Sequence, residues 1–306
     1  MTLTAIAVSA ATLAACGSAS NASTTESAAG GTVIEIVAAE NEYGSVASQV
    51  GGRFVDVASV ESNPNTDPHT YEVSPRVAQQ VAAAQLVIQN GVGYDDFMAK
   101  IESAAAGTGR TIIDVQRLLG LPDSTPNPHL WYDPKTMPAV ANALAAGLGR
   151  LQPANAAYFK ANAATFVKSL QPWLTAIANF KATYPGTPVA TTEPVADYML
   201  QAAGVDNMTP FSFQANVMND VDPSPQAVSA QNGLFTDHKV TVFVYNQQVT
   251  DSLTEGFITV AKQAGVPIVG VYETMPTPGY TYQSWMLAEV NALREAVVDH
   301  TSTIKL

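Results

Sequence analysis

Ala154–Thr183 reads ANAAYFKANAATFVKSLQPWLTAIANFKAT, and its pattern decides the architecture. Apolar residues fall at helical spacing, charges are few, and Pro172 is the one strong breaker, expected to kink the helix or split it. A helix of roughly thirty residues is far above the usual length in a globular domain. A shorter helical run from Lys135 to Leu151 precedes it, and Tyr184-Pro185-Gly186 ends it. The pair lies near the middle of the 306-residue chain and divides two regions of different character.

Both flanks alternate between short β-branched runs and helical stretches. On the N-terminal side the strands are Val33–Ala38, Phe54–Val60, Leu86–Gln89 and Thr111–Val115. Helical stretches run to about Val50, from Ser74-Pro75 (Ser as N-cap, Pro at the first position), and from Asp95 to about Ala106. On the C-terminal side the strands are Pro188–Thr192, a weak Asn207–Phe211, Val240–Tyr245 and Pro267–Tyr272. The helices there are Pro194–Ala203, Pro225–Leu234, Ser252–Ala264 and Tyr280–Val298. Such alternation implies βαβ units and parallel sheets. The expected fold is α/β: two lobes, each a roughly four-stranded parallel sheet flanked by helices, joined by a long backbone helix. The expected boundaries are 32–150 for the first lobe, 151–183 for the linking helix and 184–306 for the second lobe.

With 47% hydrophobic and 13% charged residues, the chain can bury a sizeable core. Its formal net charge of -12 excludes nucleic acid as a partner, since no stretch gathers the Lys and Arg needed to neutralise phosphates. Residues 1–15 are apolar and end in small residues, as a signal peptide does, although no basic residue precedes Cys16. Cys16 is the only cysteine, so no intrachain disulfide can form. Residues 16–31 are rich in Ser, Ala, Thr and Gly, the composition of a flexible tether. No later segment is long and apolar enough to span a bilayer.

The four histidines are His69, His129, His238 and His300. His69 stands in Asp67-Pro68-His69 and His129 in Asn127-Pro128-His129-Leu130-Trp131. Each follows a proline in a loop beyond a strand of the first lobe, where the fixed proline φ helps to aim a ring. The second lobe supplies carboxylates in equivalent positions: Glu193 after one strand and Glu273 after another. Open parallel sheets bind ligands outside the carboxyl ends of their strands, and all four side chains belong there. His238 and His300 have no such setting. Trp131, Tyr132, Tyr272 and Trp285 suit core packing beside such a site, and Asn246-Gln247-Gln248 lies at its rim.

Two neutral imidazoles and two carboxylates balance a divalent cation, and the mixed N/O set suits Mn, Zn or Fe rather than Ca or Mg. Absence of a usable thiolate disfavours Cu(I) and structural zinc. A metal-dependent hydrolase would need an open coordination position and a general base, and no H-E-x-x-H, G-x-S-x-G or phosphate loop is present. A receptor for a larger chelate, such as a siderophore, would need no convergence of His and Glu.

From about Thr32 to Leu306 the chain resembles the cluster A-I metal receptors of bacterial ABC importers, the zinc- and manganese-binding lipoproteins. Asp67-Pro68-His69, Asn127-Pro128-His129-Leu130-Trp131, Thr191-Thr192-Glu193 and Glu273 carry the resemblance. It implies His69, His129, Glu193 and Glu273 as metal ligands, with Glu273 standing where most members have Asp. Glu193 matches the position that manganese-type members fill with Glu and zinc-type members with His. Zinc-type members also often carry a His-rich acidic loop between the first two ligands, which is absent. The resemblance therefore favours Mn2+ over Zn2+ as cargo, with Fe2+ as a further option. Leu13-Ala14-Ala15-Cys16-Gly17 looks like a bacterial lipobox, implying lipidation of Cys16 and extracytoplasmic attachment to the cell membrane. The expected partners are an importer permease and its ATPase, with the receptor itself a monomer and not an enzyme.

Overall fold

β1 (Ile34–Glu40) is buried along nearly its whole length, as expected of a central parallel strand covered on both faces. In the computed structural model, which describes residues 1–2, 32–66, 68, 73–104 and 109–306, it lies between β2 (Val55–Glu61) and β3 (Leu86–Gln89). β4 (Thr111–Asp114) completes a parallel sheet of order β2-β1-β3-β4. The second sheet repeats this topology, with β5 (Pro188–Thr191), β6 (Asp206–Asn207), β7 (Val242–Asn246) and β8 (Ile268–Val271) in the order β6-β5-β7-β8. β7 and β8 are fully buried.

The long linking stretch forms two helices, Ala156–Ser169 and Gln171–Thr183, that meet at Leu170. Pro172 occupies the first turn of the second helix, where its missing N–H costs no intrahelical bond. The weak strand expected over Asn207–Phe211 is shorter. Only Asp206–Asn207 pairs with β5, and Phe211 already opens the helix Phe211–Met218. Pro210 lies between, with no N–H to donate to a ladder. No helix among the described residues is long and apolar enough to cross a membrane.

One apolar cluster runs through both sheets. It joins Ile34, Ile36, Leu86 and Ile88 to Val189, Val242, Val244 and Val269 by way of Phe159, Phe166, Trp173, Ile177 and Phe180 on the linking helices. Separate clusters cover the outer faces, with Val37, Val87 and Met98 on one sheet and Phe235, Phe243 and Phe257 on the other.

Buried hydrogen bonds stitch the facing ends of the lobes together. Asn41 Nδ2 donates to the Met275 carbonyl at 2.9 Å while Met275 N donates back to Asn41 Oδ1 at 3.0 Å. Asn127 Nδ2 donates to the Pro194 carbonyl at 2.7 Å, and the Tyr282 hydroxyl to the Trp131 carbonyl at 2.7 Å. The Tyr132 hydroxyl, at 2.7 Å, reaches the Tyr272 carbonyl.

Candidate metal site

The carboxyl ends of both sheets face this seam, and most of the expected site residues meet there. His129 follows the loop after β4, and Glu193 follows β5. Asn246 ends β7 and Glu273 follows β8. All four are buried. His69 and Cys16 lie outside the described residues. His238 and His300 are exposed.

His129 is aimed by the residue two before it. Asn127 Oδ1 accepts from the His129 backbone N–H at 3.0 Å and lies 2.8 Å from ring Nδ1. Because Asn127 Nδ2 is committed to the Pro194 carbonyl, its oxygen is the atom facing the ring, so Nδ1 is the donor. Nε2 then projects to Glu273 Oε2 at 3.2 Å. Two donor atoms on one tetrahedral ion, each about 2.05 Å from it, are separated by about 3.3 Å. The His129–Glu273 pair is therefore spaced as two neighbouring ligands.

Glu273 is held from three sides. The Tyr94 hydroxyl donates to Oε2 at 3.0 Å and Asn246 Nδ2 to Oε1 at 2.7 Å. Gln248 Oε1 accepts from the backbone N–H groups of Glu273 and Thr274, both at 2.7 Å. Gln248 Nε2 donates to the Thr66 carbonyl at 2.8 Å, tying the Glu273 turn to the segment that leads to Pro68 and His69. Burial, and then the Glu273 charge, push the Tyr94 phenol well above its usual range, which keeps it a donor. Glu193 joins through the same amide, with Asn246 Nδ2 3.1 Å from its Oε1. Tyr94 and Trp131 wall the pocket edge-on, with ring centroids 5.8 and 5.4 Å from His129. Among the described residues, no three His, Cys, Asp or Glu side chains draw close enough to hold an ion. His129 and Glu273 touch directly, while the Asn246 amide stands between Glu273 and Glu193.

Sequence reasoning missed the acids at the end of β1. Glu40 and Glu42 flank Asn41 and are buried, although their sequence resembles a solvated helix start. Burial pushes the Glu42 carboxyl well above its ordinary range, and the nearby Glu273 charge adds to this. Glu40 is raised likewise, first by burial and then by Asp95, Glu61 and Glu42. Both are thus driven toward the neutral acid, so the cleft does not accumulate their full charge. Tyr94 and the orienting role of Asn127 were also missed. Asn127 was legible as a polar side chain two residues before a Pro-linked His.

The model of a family described as zinc-uptake complex component A, periplasmic, matches residues 36–296. Manganese-binding lipoprotein MntA of Bacillus subtilis (strain 168) is 23% identical over 144 residues, 45% of this chain and 47% of that one. The chain spans about half the length, or less, of the curated relatives it matches. Among solved structures, the Mn-bound periplasmic metal binding protein from Candidatus Liberibacter asiaticus superposes with a TM-score of 0.70. It is 18% identical and covers 87% of this chain and 100% of its own. A crystal structure of ZnuA gives a TM-score of 0.71 at 18% identity, covering 86% and 99% of the two chains. These likenesses share the two-sheet fold, and the family match spans both sheets: the chain belongs to the zinc-uptake complex component A family.

Proposed function

We propose that this protein is an extracytoplasmic receptor that captures a divalent transition metal between its lobes and hands it to an ABC importer. The observation that carries the reading is the His129–Glu273 pair. An imidazole whose Nδ1 is tied to Asn127 turns Nε2 onto a buried carboxylate at ligand spacing. His69, His129, Glu193 and Glu273 form the ligand set. The acid at Glu193 favours manganese as the transported ion, although zinc binds an N/O site more tightly than manganese does. Cys16 anchors the monomeric receptor to the membrane through lipid, with a permease and its ATPase as partners. Membership of a family of uptake components supports transport rather than catalysis.

Titration of metal-stripped protein with Zn2+ and Mn2+ tests this. Saturable one-to-one binding is expected for the wild type, and a loss of at least about tenfold in affinity for His129→Ala and Glu193→Ala. Unchanged affinity in both variants would remove the site.

A further inference from the structure

Asn246 is the last residue of β7, which lies between β5 and β8 in the sheet. Its side chain accordingly meets both the acid that follows β5 and the acid that follows β8. It is 1% exposed, and its polar atoms have assigned tasks. The backbone N–H donates to Thr192 Oγ1 at 3.1 Å, and Oδ1 accepts from the Gln248 N–H at 3.0 Å. That last bond fixes the amide orientation, since the flipped form would set an oxygen against two carboxylates. Nδ2 carries two hydrogens and has two acceptors, Glu193 Oε1 at 3.1 Å and Glu273 Oε1 at 2.7 Å.

We propose that Asn246 is a positioning residue that makes both carboxylates bind metal through a single oxygen and so selects a four-coordinate ion. The proposal rests on the ligand set given above. Each carboxylate presents Oε1 to the amide, and Glu273 presents its opposite oxygen, Oε2, to His129 Nε2. An ion seated beside His129 meets Glu273 at Oε2. To bind bidentately it would have to pull Oε1 off the amide and strand a buried N–H, which is unfavourable. Glu193 is under the same constraint. Two imidazole nitrogens and two single oxygens make a tetrahedral set, the geometry of zinc, whereas manganese prefers a larger oxygen-rich shell. The amide therefore biases affinity toward zinc even though the side chain at position 193 is Glu, and manganese is held in a shell smaller than it prefers.

Cobalt(II) reports the difference, because four-coordinate cobalt absorbs visible light much more strongly than five- or six-coordinate cobalt. Metal-stripped wild type, Asn246→Leu and Asn246→Ser are each loaded with one equivalent of Co2+, and Zn2+ and Mn2+ affinities are measured by competition. The wild type is expected to give the intense four-coordinate spectrum. Either variant should give the weak spectrum, with the zinc-to-manganese affinity ratio lowered about tenfold. A weak, high-coordinate spectrum for the wild type would overturn the proposal without recourse to any variant. So would a folded variant with the wild-type spectrum and ratio. Failure of the wild type to bind any of the three metals stoichiometrically would instead remove the ligand set on which the proposal stands.

Discussion

Replacing Glu289 with Gln should abolish much of the alkaline destabilisation of this protein. Glu289 lies on the C-terminal helix Tyr282–Asp299, is 1% exposed, and accepts from Trp285 Nε1 at 2.7 Å. Its Oε1 is also 2.9 Å from the Tyr132 hydroxyl, which is 2.7 Å from the Tyr272 carbonyl. The bonds that Tyr132 and Trp285 donate favour the carboxylate, but burial outweighs them. Burial raises its pKa from 4.5 to about 8. The folded state therefore binds the proton more tightly than the unfolded chain does. The stabilisation is complete below pH 4.5 and disappears as pH rises through about 8. At about 1.4 kcal/mol per pH unit, the wild type loses about 3.5 kcal/mol between about pH 5 and 8 from this group alone. For a chain of this size that is roughly 5 °C in the thermal midpoint. Asp95, pushed to about 6 chiefly by burial, and the other buried acids add their own slopes to both proteins. The readout is therefore the difference between wild type and Glu289→Gln in calorimetric scans with chelator present. Glutamine keeps the shape and the Trp285 bond, so the two should be close at pH 5 and diverge by pH 8, with the variant more stable. Parallel curves over this range would refute the assignment of a buried neutral acid.

Asn127→Leu should weaken metal affinity about 10–100-fold by freeing the His129 ring, with little loss of secondary structure by circular dichroism; equal affinity would mean that the ring needs no such support. Loading with metal should leave the radius of gyration by solution scattering unchanged, because a shared core and buried bonds join the lobes, and hydrogen exchange should slow only around Thr66 and Thr274. A wide closure between the two scattering profiles would contradict this. Cys16→Ser should move the protein from the membrane to the soluble fraction with the fold intact; unchanged membrane attachment would rule out the lipid anchor.

The two-lobed plan was legible because it rests on local signals. Helical spacing over Ala154–Thr183 and β-branched runs bounded by turns need no knowledge of the tertiary structure. The strand-end rule then placed His129, Glu193 and Glu273 at one seam, since parallel sheets expose their carboxyl ends in a common direction. What escaped depends on pairing across the chain. Asn246 bridges two acids only because β7 lies between β5 and β8, an order that chain sequence does not state. Tyr94 reaches Glu273 across 179 residues. Glu40 and Glu42 escaped notice because nothing local reveals that β1 is central and ends inside the cleft. The split at Leu170 followed from Pro172, whereas the loss of the Asn207–Phe211 strand came from overlooking Pro210.

The apolar cluster that runs unbroken from Ile34 through Trp173 to Val269 also limits how the chain can be divided. Cutting the gene between the two sheets would give fragments that each expose half of that cluster to water, with the linking helices stripped on one side. Neither fragment should fold alone, and a calorimeter should record the intact protein melting in one transition rather than two. The two sheets are duplicates in topology but should melt as a single unit. A chimera with a relative would therefore have to exchange surface loops, because exchanging whole halves would require rebuilding the interior.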